Sequence, residues 1–117
     1  MASNKFQGDL GERFAEKFLV QKGYKIIERN FYCKVGEIDI IALDKDTLVF
    51  VEVKTRWSRK FGRPEEAVDG RKLAKIARSG EYFALENDRL PKKRRIDVVA
   101  VEVIGGKVKS AKLIKVT

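Results

Sequence analysis

The sequence predicts a single α/β domain spanning residues 1–117, and three observations carry that expectation. The first is the order of its patterned segments: a helical run, three strand-like runs, a second helical run and two further strand-like runs, or α-β-β-β-α-β-β. The second is length, because 117 residues fit one core of ordinary size. The third is composition. With 44% hydrophobic residues, the chain can bury about two-thirds of the surface it exposes when unfolded.

The first helix is expected over 5–22, where Phe6, Leu10, Phe14, Ala15, Phe18 and Leu19 recur at helical spacing and Gly23 follows as a stop signal. At 100° per residue these side chains cover an arc of about 220°. Gly8 and Gly11 fall inside it, which points to close approach of the helix backbone to its packing partner, and Glu12 lies at its edge. Strands are expected over 24–32, 36–43 and 48–55, the latter two rich in β-branched residues and separated by Asp44-Lys45-Asp46-Thr47. The pattern then lapses over 57–68 into a basic stretch with Gly62 and Pro64, longer than the usual connection, and such loops often carry function. Asp69 is the expected N-cap of a second helix, in which Leu73, Ile76, Ala77, Phe83 and Ala84 keep helical spacing to about Asn87 despite Gly80. The last two strands, 94–104 and 108–116, meet at Gly105-Gly106, a two-residue hairpin signal.

Missing residue types exclude whole chemistries. The chain has no His, so a Ser-His-Asp triad, a His-based nuclease centre and a histidine-ligated zinc or haem are ruled out. Cys33 is the only cysteine, which excludes an intrachain disulfide, a Cys-rich zinc site and a CxxC pair, and its apolar neighbours suggest a buried structural thiol. Catalysis would have to rest on carboxylates, Lys, Arg, Tyr, hydroxyls and a hard metal ion. No apolar run approaches the roughly 18 residues of a spanning helix, and the first residues lack the apolar core of a signal peptide. A cytoplasmic protein with no membrane partner is expected.

Charge points to a polyanion. The 26 Lys and Arg residues outnumber 17 Asp and Glu, for a formal net charge of +9. The excess is concentrated: KTRWSRKFGR at 54–63 holds five cations and no acid, RLPKKRR at 89–95 holds five more and no acid, and the rest of the chain is close to neutral. Arg56, Trp57, Arg59, Lys60 and Arg63 in the first stretch are placed to contact backbone phosphates or stack on an unpaired base. Lys92, Lys93 and Arg94 in the second are further candidate contacts. Either stretch taken alone could also be a solvated loop.

The second and third strands carry charges where apolar residues would be expected. Glu37 and Asp39 share one face of their strand, as do Glu52 and Lys54 of theirs, while Ile38 and Ile40, or Val51 and Val53, should point the other way. If Lys45-Asp46 is the turn, Asp44 faces Thr47, Asp39 lies across from Glu52, and Glu37 across from Lys54. Facing carboxylates about 5 Å apart are destabilising unless a shared proton or a cation offsets them. Mg²⁺ suits such a place, because it takes oxygen ligands, needs only one or two protein carboxylates and keeps room for phosphate oxygens. Lys54 could then orient a nucleophilic water or hold the phosphate. A purely structural ladder with a Glu37–Lys54 ion pair would contribute at most about 1 kcal/mol and gives no reason to set Asp39 opposite Glu52. For Glu12, Thr55 and Arg56 the residues alone leave a structural and a functional role open.

Asp39 followed after twelve residues by Glu52-Val53-Lys54 resembles the D…(D/E)xK signature of the PD-(D/E)XK nuclease superfamily, which includes the archaeal-type Holliday junction resolvases. Gly11-Glu12, Gly23-Tyr24, Arg29-Asn30, GEIDIIA at 36–42, VFVEVKTR at 49–56, Phe61-Gly62 with Pro64 and Ala67-Val68, and Asp97-Val98-Val99 together resemble the bacterial YraN-like family of endonuclease-like proteins over nearly the whole chain. The residue before Asp39 is Ile38, where the superfamily's nominal motif has Pro.

The resemblance implies a restriction-endonuclease-like core, α-β-β-β-α-β(-β), with a mixed central sheet flanked by helices. It implies that Asp39 and Glu52 bind Mg²⁺ or Mn²⁺, that Glu12 adds a carboxylate from the first helix, that the Val53 carbonyl is a further ligand, and that Lys54 is the catalytic lysine. Glu37, opposite Lys54, is expected to position it, with Thr55 in a supporting place. The expected activity is a metal-dependent endonuclease cutting DNA phosphodiesters, branched or damaged structures among its candidate substrates, and a homodimer would suit a symmetric junction. The alternative is a non-catalytic nucleic-acid-binding module, RNA- or ribosome-associated.

Overall fold

A computed structural model describes residues 2–57 and 69–116, with side chains of the first helix from residue 10 onward. The expectations for Phe6 and Gly8, and those for Arg59, Lys60, Arg63 and the Pro64 turn, lie outside these described parts. The elements follow the expected order: α1 (Ala2–Gln21), β1 (Lys25–Tyr32), β2 (Glu37–Asp44), β3 (Thr47–Arg56), α2 (Gly70–Leu85), β4 (Lys93–Ile104) and β5 (Lys107–Lys115). No described helix is long and apolar enough to cross a membrane.

α1 ends where Gly23 takes φ +96°. Its N–H bonds the Val20 carbonyl at 3.0 Å and the Tyr24 N–H bonds the Leu19 carbonyl at 3.0 Å, a left-handed cap that satisfies carbonyls the helix leaves open. α2 begins at its expected cap, where Asp69 Oδ1 accepts from the Lys72 N–H at 3.0 Å.

The five strands form one mixed sheet in the order β1-β2-β3-β4-β5. All neighbours are antiparallel except β3 and β4, which run parallel because α2 carries the chain back across the sheet between them. The β2–β3 register is the one the turn dictates, from Asp44↔Thr47 to Ile40↔Val51.

Each face of the sheet has its own core. On one, Ala15 and Leu19 of α1 pack with Ile40, Ala42, Val49, Val51, Val99 and Val101. On the other, Ile76 of α2 packs with Ile38, Ile41, Leu48, Phe50 and Ile96. Ile38 and Ile40 therefore face opposite ways, contrary to the strict alternation expected of the strand. Strand β2 turns over between them. Across from this point stands Asn30, between the pairs Arg29↔Ile40 and Phe31↔Ile38, with φ 53°. Its left-handed backbone breaks the regular pleat of β1 at the residue facing Asp39. Cys33, expected to be buried, is half-buried in the turn after β1, where its N–H donates to the Gly36 carbonyl at 2.9 Å.

Candidate active site

The site forms where β2 and β3 part. Their recorded ladder ends at Ile40↔Val51, and the next N–H available on β3 in this direction, that of Val53, is bonded by the Asp39 side chain at 2.8 Å. A carboxylate thus stands in for a strand carbonyl, which satisfies the N–H and holds Asp39 at the strand end.

Glu52 is the one carboxylate on β3, and at 4% exposure it is nearly out of contact with water. An ion so buried needs partners. Among the described residues it has two: Lys54 Nζ at 3.5 Å from Oε2 and Lys72 Nζ at 3.3 Å from the same oxygen. Asp39 lies beside it, close enough for the two carboxyl groups to hydrogen-bond. Burial above all, then Glu52 and, to a smaller extent, Glu12, pushes Asp39 up to about 8, against the opposing pull of the Val53 N–H. The carboxylate pair expected from the hairpin is therefore assembled, and it is electrostatically conflicted.

Glu12 comes from α1, which reaches the site because Gly11 lies against Thr55 of β3; a Cβ at residue 11 would collide with the Thr55 hydroxyl. Glu12 is half-buried and its charge is felt by Asp39 and by the Tyr32 phenol. Among the described residues no three acidic side chains gather around a common point, and Asp39 with Glu52 forms the close pair.

Three expectations need revision. Glu37 is not in ladder register with Lys54: the β2–β3 ladder stops at Ile40↔Val51, Glu37 pairs with Tyr32 on the β1 side, and Lys54 is bridged to Glu52. Trp57 is half-buried against the α1-side core, so packing occupies much of the ring expected to stack on a base. The basic segment 89–95 lies at the far end of β3. Lys93 and Arg94 are in register with Thr47 and Leu48, five or so residues and roughly 17 Å along the strand from Glu52. Lys93 is bonded to Asp46 at 3.0 Å, and Arg94 Nη1 donates to both oxygens of Glu81 at 2.8 and 2.7 Å, whereas Lys92 is exposed. Arg56, nearer the site, is half-buried, and its Nε has no hydrogen-bond partner among the described residues.

Lys72 was missed by sequence reasoning. One signal was available, because a lysine in the first turn of a helix opposes the macrodipole and so asks for an external reason.

The donor set fits a hard divalent cation. Two carboxylates press together at a strand end, burial and mutual repulsion raise one of them, and both kinds of stress are relieved by a positive ion. The Val53 carbonyl expected as a further ligand belongs to the residue whose N–H anchors Asp39.

Together these features define a mixed α/β protein whose sheet presents a buried carboxylate pair flanked by two lysines. Residues 11–101 match the model described as "Uncharacterised protein family UPF0102". A UPF0102 protein of Caldanaerobacter subterraneus subsp. tengcongensis is 46% identical over 99 residues, covering 85% of this chain and 81% of the relative. One from Clostridium acetobutylicum is 48% identical over 98 residues, covering 84% and 80%. One from Beutenbergia cavernae is 49% identical over 94 residues, covering 80% of each. The chain belongs to the UPF0102 family, the YraN-like group that its motifs resemble.

Proposed function

We propose that this protein is a divalent-metal-dependent endonuclease of the PD-(D/E)XK type, acting on phosphodiester bonds of DNA in the cytoplasm. The observation that carries the reading is the Asp39 carboxylate held by the Val53 N–H beside buried Glu52, with Lys54 Nζ 3.5 Å from Glu52. Mg²⁺ or Mn²⁺ bound by these carboxylates would supply a Lewis acid for the phosphate and lower the pKa of a nucleophilic water. Asp39 and Glu52 serve as ligands, and Glu12 lies near enough to add negative charge. The Lys54 ammonium, tethered beside them, orients the water or offsets charge growing on the phosphate. The net charge of +9 brings the polyanionic substrate to the surface.

The test compares wild type with Glu52→Gln and Asp39→Asn on labelled single-stranded, duplex, flap and four-way-junction DNA, with Mn²⁺ or with chelator. Cleavage by the wild type alone, and only with metal, is expected, each substitution lowering the rate at least about 100-fold. Equal cleavage by the variants would sink the assignment. Intact substrates bound with steep salt dependence and no response to divalent ions would replace it with a non-catalytic nucleic-acid-binding role.

A further inference from the structure

Among the described residues, Glu52 has one ammonium partner from its own strand and a second from a different element. Lys72 Nζ lies 3.3 Å from Glu52 Oε2, closer than Lys54 Nζ at 3.5 Å. The reach is set by the backbone, because the Lys72 N–H is itself bonded to the Asp69 cap. The lysine side chains are 42% exposed for Lys72 and 28% for Lys54, against 5% for Glu52. Lys72 therefore holds the carboxylate from the more open side.

The inference rests on the metal-dependent reading above. Were a divalent ion bound at Glu52, the oxygen that both lysines share would be its ligand and their ammonium groups would be repelled from it. The anion then available to a displaced ammonium is a phosphate oxygen of the bound strand, to which Lys binds as a point charge. We propose that Lys72 is a phosphate-binding residue of this site, holding Glu52 in the free protein and the nucleic-acid backbone in the complex.

The experiment measures binding of a labelled DNA duplex to wild type, Lys72→Met and Lys72→Arg, with Ca²⁺ or with EDTA, over a range of salt. With Ca²⁺, K72M is expected to bind about tenfold more weakly, with a salt slope smaller by about 0.9, and K72R to stay near wild type. With EDTA, where Lys72 is engaged by Glu52, wild type and K72M should agree within about twofold. A wild type that responds to Ca²⁺ with K72M matching it overturns the Lys72 role and leaves the metal site standing. A wild type indifferent to Ca²⁺ overturns the metal site and this inference with it. Should K72M melt early, Lys72→Gln carries the same comparison.

Discussion

Asp39 is pulled two ways by its surroundings. The Val53 N–H favours its ionised form, while burial, Glu52 and Glu12 favour the neutral acid and prevail, raising it from 3.8 to about 8. Between those values the folded protein binds more protons than the unfolded chain, so metal-free stability falls as pH rises from about 4 to about 8. Thermal melts in chelator should show this decline, and Asp39→Asn should flatten it while stabilising the protein by roughly 1–2 kcal/mol at the alkaline end. A variant profile parallel to wild type would place the slope elsewhere. The pairing of Asp39 with Glu52 was legible because a two-residue turn propagates its register along both strands. The role of the Val53 N–H was not, since it depends on where the ladder ends.

At the scale of elements, α1 is registered on the sheet by Gly11 against Thr55. Gly11→Ala should destabilise by about 1–3 kcal/mol. In Gly11→Ala with Thr55→Ala, part of that loss should return, a coupling of about 1 kcal/mol measurable by urea unfolding of the four proteins. Strictly additive losses would show that α1 slides to avoid the clash. A glycine on the buried arc of a helix announces close approach, but not its partner, which comes from a strand distant in sequence. The Asp69 cap was fully legible for the opposite reason, since donor and acceptor lie three residues apart. The same locality explains the hairpin at Gly105-Gly106.

The whole molecule is tied together by a polar cluster reaching from the end of α1 to β4. Tyr24 Oη donates to Asp97 Oδ2 at 2.6 Å, Arg95 Nε donates to Asp97 Oδ1 at 2.7 Å, and Arg95 Nη2 reaches Asp44 Oδ2 at 2.8 Å. Burial and the bond to Asp97 hold the Tyr24 phenol well above its ordinary range, and the bonds that Arg95 donates to Asp97 and Asp44 raise its guanidinium further. Asp97 is fully buried, so Asp97→Ala leaves Arg95 without its main partner and should destabilise by about 3–5 kcal/mol, read as a large drop in Tm. A change under about 1 kcal/mol would mean that Asp44 alone suffices for Arg95. Arg95 belongs to a run of five cations that reads as open basic surface, yet the fold turns it into a structural tie.

Local and periodic signals determined much from the sequence alone: the number and order of the elements, the cap at Asp69, the stop at Gly23, the β2–β3 register and hence the two central carboxylates. Each of these depends on neighbours within a turn or on a repeat of fixed period. Tertiary structure decided what depends on distant chain segments meeting. It turned β2 over between Ile38 and Ile40, sent Glu37 to Tyr32, separated the 89–95 cations from the carboxylates and brought Lys72 to Glu52. Side-chain reach across packed elements has no period in sequence, so the first-turn position of Lys72 flagged an unusual lysine without showing that its partner is Glu52.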